Sequence, residues 1–483
     1  MHADPRTSDS WIEQVTSHAH SGCRALVMSD GSSWTYAELL DRAAAAASWL
    51  DRIGAEPGSP LPVFAPTGPQ AVALLLAAAM TSRPIAPLSP RFAPEELVAC
   101  IGRLPQGQIL SVAEHLHGLR PVAEVTGRAL VEIPEEFPAA AGSLAIDTSP
   151  SAVMAVVHTS GTTGLPKAIR QTQFPLSRRV WQSADPIELG EGSVYATASA
   201  FHHQAGVGLV LVALGAGATL LSLRQFSVDG WRQLGPLGPT HATVVPALIE
   251  TLLAADALAL PSLRWIQYGS SPIHPDTARR LLVDFPQLRL VQQMGQTEGS
   301  PLTTLDHQDH VTALASAPHR LESVGRPVAG SELRIENPDA GGVGEICSRA
   351  THYFAPDPDG WLRTGDMGRM DDDSFVYIVG RRNDGINRGG ETIYPVEVER
   401  VIESHPSIVE AAVVGRPDRR LGQVPHAFAV IKDPADPPDV DEMVAYCSAR
   451  LSRFKVPRDW QFVDQLPRNP SGKLLRRRLT EAD

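Results

Sequence analysis

Val157-His158-Thr159-Ser160-Gly161-Thr162-Thr163-Gly164-Leu165-Pro166-Lys167 follows directly on the apolar run Ala152-Val153-Met154-Ala155-Val156. The run reads as a buried strand that extends into Val157. The segment behind it carries two glycines, four hydroxyl residues and a lysine, a composition that ends regular structure. Glycine lets backbone N–H groups come close to an anion, hydroxyls donate to phosphate oxygens, and lysine adds a point charge. The stretch is therefore a candidate loop for the phosphates of ATP. It is not the Walker form, since the glycine spacing differs and Ala168 follows Lys167. Taken alone, the same composition also suits an ordinary surface loop.

The chain on either side decides between these readings. From the N-terminus to about position 380, helical patterns alternate with short apolar runs: helices at 38–50, 70–80, 246–254 and 275–282, strands at 61–64, 84–88, 242–245 and 265–268. Alternation of this kind is the mark of α/β sheets covered by helices, with ligands bound beyond the carboxyl ends of the strands. The phosphate-loop candidate, Gly269-Ser270-Ser271 and Gln293-Met294-Gly295 each follow an apolar strand candidate, and so are placed to line one cleft. The uncharged stretch 205–223 approaches the length of a membrane span, but four glycines interrupt it. It reads as a buried helix, a turn and a core strand. Beyond position 331 the texture turns β-rich, and after Gly380 a smaller unit follows, with helices at 395–404 and 441–451 and strands at 409–414 and 427–431. The expected fold is α/β: a large N-terminal domain, 1–382, of α/β subdomains plus a β-rich subdomain, and a small mobile α+β C-terminal domain, 383–483.

Composition narrows the function classes. A chain of 483 residues is long enough for more than one core, and 43% hydrophobic with 20% charged residues is ordinary for a globular protein. A formal net charge of −12 argues against nucleic acid or acidic membrane surfaces as partners. Cys23, Cys100, Cys347 and Cys447 lie far apart without C-x-x-C spacing, which suits a reducing cytoplasm rather than a zinc site or a disulfide framework. Met-His-Ala-Asp-Pro-Arg at the start has no apolar core of a signal peptide. Arg476-Arg477-Arg478 reads as a solvated helix face or as a phosphate contact.

More motifs follow in order: Trp34-Thr35-Tyr36-Ala37-Glu38-Leu39, Phe201-His202, Gly295-Gln296-Thr297-Glu298, Gly360-Trp361-Leu362-Arg363-Thr364-Gly365-Asp366, Gly380-Arg381-Arg382-Asn383-Asp384, Gly389-Gly390-Glu391 and Pro470-Ser471-Gly472-Lys473. With Thr159-Ser160-Gly161-Thr162-Thr163-Gly164-Leu165-Pro166-Lys167 at their head, they resemble the motif series of the adenylate-forming superfamily. That superfamily comprises acyl- and aryl-CoA ligases, luciferases and the adenylation domains of nonribosomal synthetases, and the pattern here is most similar to free-standing acyl- or aryl-CoA ligases. The resemblance implies activation of a carboxylic acid by ATP and Mg²⁺ to an acyl-adenylate, with release of pyrophosphate, then transfer to a thiol, with coenzyme A as the first choice of acceptor. A separate carrier protein's phosphopantetheine or another nucleophile is the alternative, and a catalytically inactive nucleotide-binding interaction protein is the reading from a different class. A homodimer is kept open.

The resemblance also implies roles. Thr159, Ser160, Gly161, Thr162, Thr163, Gly164 and Lys167 hold phosphates. Gly269, Ser270, Ser271, Gln293, Met294 and Gly295 border the nucleotide, with Thr297 on a phosphate. Glu298 is the Mg²⁺ ligand, a hard oxygen of the type that metal prefers. Asp366 takes the ribose hydroxyls with help from Arg381. His202 stands where nucleotide and acyl pockets meet, while His203 packs. Lys473 bridges carboxylate and α-phosphate, and Gly389-Gly390 border the path of the acceptor thiol. Two-step relatives turn the small domain about a hinge residue, here Asn383. Three positions depart from the usual pattern: Met294 replaces an aromatic, Ala168 a glycine, and Asn383 the usual Asp or Lys. No aspartate follows Phe201-His202, which disfavours an α-amino acid. His202, Gln204, Val207, Tyr268, Gly269, Met294, Gly295, Pro301 and Leu302 then line the acyl pocket, a mixed set suited to a small or aromatic acid.

Overall fold

The computed structural model describes residues 4–20, 22–140, 144–159, 167–197, 199–223, 226–389, 391–468 and 474–481. It divides into two compact units, Met1–Leu333 with Ser348–Leu362, and Arg334–Cys347 with Arg363–Asp483.

Two sheets build the first unit. One has nine strands in the order Arg326–Pro327, Gly299–Leu305, Arg289–Gln296, Trp265–Gly269, His241–Thr243, Val194–Thr197, Thr219–Ser222, Arg24–Val27, Ser33–Thr35, parallel in its interior and antiparallel at both edges. The other has six, in the order Leu130–Glu132, Ile109–Ser111, Leu61–Phe64, Ile85–Pro87, Val153–Thr159, Lys167–Thr172. One core cluster draws residues from both sheets and from the helices Tyr36–Arg52, Pro69–Thr81 and Gln204–Gly215, so these helices form the middle layer. Every residue from Ala71 to Thr81 is buried, which explains why that helix is apolar all round rather than striped. Separate clusters cover the outer faces: one around Trp231, Ile249 and Leu281, the other around Phe64, Leu97 and Val122. The 205–223 stretch resolves into the buried helix Gln204–Gly215 and the core strand Thr219–Ser222, as its glycines indicate. Among the described residues no helix is long and apolar enough to cross a membrane.

Local signals set the helix ends. Thr35 caps Tyr36–Arg52 through a reciprocal bond with Glu38, and Pro69, Pro246, Pro275 and Pro395 open their helices at the position where a missing N–H is harmless.

The second unit holds most of a four-stranded sheet, in the order Glu332–Glu336, Gly344–Arg349, Leu362–Met370, Val376–Arg381. It also holds a five-stranded sheet in which the long hairpin Ile408–Asp418 and Gly422–Ile431 is central. Helices Pro395–Glu403 and Val440–Ser448 supply Val398, Ile402, Met443 and Cys447 to its core. Arg476 takes neither role foreseen for the basic run. Its guanidinium is paired with Glu399 and donates to the Val413 carbonyl at 3.1 Å, while Arg477 and Arg478 face solvent. Burial opposes the charge on Arg476, but Glu399 outweighs it and raises the pKa.

Candidate functional site

The phosphate-loop candidate runs between two strands that pair antiparallel. Thr159 ends one strand, Lys167 begins the next, and the two are direct partners across the ladder. Ser160, Gly161, Thr162, Thr163 and Gly164 lie outside the described residues, as do Gly390 and Lys473. A second hairpin, Arg289–Gln296 with Gly299–Leu305, places Thr297 and Glu298 in a two-residue turn between the partners Gln296 and Gly299. The carbonyl of Glu298 accepts from the N–H groups of Phe354 at 2.8 Å and Ala355 at 3.1 Å, which fixes its main chain. Its carboxylate comes within 3.9 Å of the Lys167 ammonium. Two residues far apart in sequence, each proposed on a separate motif, thus approach each other, one at the start of a strand and one in the turn of the second hairpin.

Gly269 and Gln293 face each other across adjacent parallel strands. Ser270 adopts a left-handed backbone, φ 67°, and with Ser271 is exposed. Gln293 has its amide engaged: it accepts from Gln267 at 2.6 Å and donates to the Gln182 carbonyl at 3.3 Å. Its side chain is therefore satisfied within the protein, and its main chain is paired with Gly269 on one side and Thr304 on the other. Gln267 also accepts from Tyr195 and Thr243, so with Gln293 a polar chain crosses four parallel strands. Met294 packs beside Leu302, Tyr353 and Leu362. Gly295 is exposed, next to Ser300.

His202 lies edge-on to Phe92, with ring centroids 6.3 Å apart, and 4.2 Å from the ring of His203. Gly206 makes this turn feasible, because a Cβ there would fall 1.9 Å from the Ala200 carbonyl oxygen. Burial, then His203 and Arg91, push the His202 pKa down to about 3, so the imidazole is neutral at pH 7. Its Nε2 is buried with no partner among the described residues, free to accept or donate toward a ligand.

In the second unit, Asp366 and Arg381 are opposed across an antiparallel pair, and Arg381 Nε donates to Asp366 Oδ1 at 2.7 Å. Thr364 fixes the turn by donating to the Ile346 carbonyl and accepting from the Asp366 N–H. The Asp366 side chain beside this guanidinium is 9% exposed. Gly389 has φ 62° and donates to the Leu421 carbonyl at 2.7 Å.

Four buried histidines carry a pH prediction. Burial lowers His158, His310 and His352 to about 4, and His202 to about 3. The unfolded chain takes up these protons near pH 6.5 and the folded chain does not, so stability is full above 6.5 and falls as pH drops toward 4. Each histidine accounts for on the order of 1–2 kcal/mol at pH 5. Urea unfolding at pH 7 and pH 5 should show this loss, and His310→Gln should make the slope shallower. An unchanged slope would contradict the assignment. Sequence reading missed His310, whose Nδ1 donates to the Asp306 carbonyl while Nε2 accepts from the Tyr268 hydroxyl at 2.7 Å. It also missed Arg179, a buried cation on the helix Gln173–Ala184. Nothing in the Arg178-Arg179 dipeptide separates the inward from the outward residue, except that Arg179 falls with Leu176, Val180 and Ser183 on one helix face.

A family model described as AMP-binding enzyme matches residues 14–355, and one described as AMP-binding enzyme C-terminal domain matches residues 397–473. The chain is an AMP-binding enzyme. Over 358 residues this AMP-binding enzyme is 34% identical to a fatty acid–[acyl-carrier-protein] ligase, ScoC, of Streptomyces coeruleorubidus, an alignment covering 69% of the chain and 68% of that protein. It is 34% identical to a 2-succinylbenzoate–CoA ligase of Bacillus licheniformis over 67% of the chain and 69% of that protein. Its fold matches the o-succinylbenzoate CoA synthetase (MenE) of Bacillus subtilis in complex with its acyl-adenylate intermediate, at a TM-score of 0.85, 27% identity and 98% coverage of both chains. The same synthetase solved with ATP and a magnesium ion gives a TM-score of 0.85 at 26% identity, covering 97% of the chain and 99% of that chain. The adenylate-forming superfamily read from the motifs and the α/β architecture read from the alternation of helices and strands are both borne out.

Proposed function

We propose that this AMP-binding enzyme is an AMP-forming acid–thiol ligase, which converts a carboxylic acid and ATP to an acyl-adenylate and pyrophosphate and then passes the acyl group to a thiol. The observation that carries the reading is the approach of Lys167 and Glu298 to 3.9 Å. A carboxylate is a poor electrophile, and attack on it expels a very poor leaving group. Attack by the acid's oxygen on the α-phosphorus of ATP breaks the bond to pyrophosphate and leaves an anhydride with AMP as leaving group. The step calls for positioning and charge neutralisation, not a protein nucleophile.

Lys167 and the loop before it hold the β- and γ-phosphates in this reading, and Thr297 contributes a hydroxyl. Among the described residues no three His, Cys, Asp or Glu side chains converge as a metal cage. One carboxylate beside a lysine fits Mg²⁺ shared with substrate phosphates, and Glu298 is the residue to hold it. When bound, the ion would neutralise phosphate charge. Asp366 and Arg381 hold the ribose, Lys473 neutralises charge at the α-phosphate, and neutral His202 lies beside the reacting carboxyl. We assign ATP and acid binding to 1–382 and the catalytic lysine to 383–483.

Coenzyme A is the proposed acceptor, entering past Gly389-Gly390, because the relatives include CoA ligases and the G-G-E motif follows the hinge. A carrier protein is the second choice, on the strength of the acyl-carrier-protein ligase among them. The separated cysteines favour a cytoplasmic setting. The test is acid-dependent ATP–pyrophosphate exchange across a panel of carboxylic acids, with CoA then offered to the active ones. Exchange with at least one small or aromatic acid is expected; none across a broad panel would overturn the reading.

A further inference from the structure

Arg179 is 4% exposed, and its Nε and Nη1 are buried without a partner. Its neighbour Arg178 behaves as surface arginines do and pairs with Asp9. No carboxylate among the described residues pairs with Arg179. The groups that face it are neutral. Tyr195 has its hydroxyl committed to Thr243 and Gln267, and burial raises its pKa beyond the working range. His352 is held neutral by burial and donates from Nε2 to the Pro301 carbonyl at 2.7 Å. On the third side lies the helix Gln204–Gly215. A Cβ at Gly208 would sit 2.6 Å from Nη2 and 2.7 Å from Nη1, so the absent side chain makes the room in which the guanidinium lies. Burial draws Arg179 down to about 10, which leaves it cationic at neutral pH.

A buried charge with neither ion partner nor hydrogen bonds is costly, and folded proteins keep few of them. The place of this one is informative. Gly208 follows Val207, and His352 grips Pro301, both residues that the sequence assigns to the acyl pocket. The polar chain Tyr195–Thr243–Gln267–Gln293 runs along the same wall. An apolar acyl tail would leave the Arg179 charge and its Nε and Nη1 donors unanswered.

We propose that Arg179 is a specificity residue that receives a second acidic group, a carboxylate or its anionic equivalent, carried by the acid at a distance from the carboxyl that is activated. The inference rests on the acid–thiol ligase reading and names its substrate class, a dianionic acid. Guanidinium and carboxylate match as a two-pronged pair, so the substrate completes an ion pair that the folded chain leaves open.

The experiment compares wild-type pyrophosphate exchange on aliphatic and aromatic diacids with exchange on their mono-amides, which keep size and lose one charge. The best diacid should exceed its mono-amide in kcat/KM by on the order of a hundredfold, chiefly through KM. In Arg179→Met the ratio should fall to near one through loss of the diacid. Gly208→Ala, which keeps the charge but crowds the guanidinium, should raise KM for the diacid more than for the mono-amide. A wild-type preference for mono-acids overturns the inference and leaves the ligase reading intact. So does an unaltered ratio in Arg179→Met that retains the wild-type melting curve. Should that variant fail to fold, the wild-type pair comparison decides alone. Absence of exchange with every acid overturns both readings.

Discussion

Lys473→Ala is expected to slow acid-dependent pyrophosphate exchange by about a hundred- to a thousandfold, the usual loss when one transition-state charge contact is removed. Transfer of a supplied acyl-AMP to CoA should stay within a few-fold of wild type. In the first half-reaction negative charge moves onto the departing pyrophosphate while two anions, carboxylate and α-phosphate, are brought together. An ammonium bridging them lowers that barrier. In the second half-reaction the attacked centre is already an anhydride and AMP leaves, so the same charge has little left to do. Misfolding is not expected to mimic this result. Arg468 and Leu474 are bridged on either side of the lysine's segment, Leu475 donates to the Pro467 carbonyl at 2.8 Å, and Arg476 is anchored to Glu399. None of these contacts uses the Lys473 side chain. Measuring the two half-reactions separately on the same folded variant checks the claim; an equal loss in both would remove Lys473 from its assigned step.

What could be read from the sequence and what could not divide along a physical line. Elements with strong periodicity and proline starts came out closely: 246–254 is the helix Pro246–Ala254, and 265–268 the strand Trp265–Gly269. Helices without such marks escaped. Gln173–Ala184 carries two arginines and two glutamines, and its buried face includes Gln173, Ser177 and Arg179, so polarity concealed it. Short strands such as Arg24–Val27 and Ser33–Thr35 depend on pairing at a sheet edge, which local sequence does not encode. Site residues that announce themselves by glycine spacing or a fixed motif were legible as candidates. The approach of Lys167 to Glu298 was not, because it requires two hairpins to fold toward each other. Arg179 was hidden for the same reason: a buried cation is recognisable only once the neutral groups around it are in place.

Glu298→Gln is expected to lower the adenylation rate by about a hundredfold or more at physiological Mg²⁺ and to raise the Mg²⁺ concentration needed for half-maximal exchange. Glutamine keeps the shape of the side chain but gives up the negative charge that a hard divalent cation seeks. The fold should hardly register the change. Glu298 is fixed through its main-chain carbonyl, which the substitution leaves alone. Its ion pair with Lys167 spans 3.9 Å, and the lysine is 62% exposed. Pairs of that kind contribute about 0–1 kcal/mol. The melting temperature should therefore move by no more than about 2–4 °C, the shift that 1 kcal/mol gives in domains of about 150–250 residues. With the carboxylate gone, Lys167 loses this ion pair but keeps its place at the start of its strand, so ATP binding without Mg²⁺ should not weaken. Two outcomes would sink the assignment. Wild-type exchange at every Mg²⁺ concentration would mean that Glu298 holds no metal. A collapse of melting temperature in step with activity would mean that its role is to hold the hairpin, not to serve the phosphates.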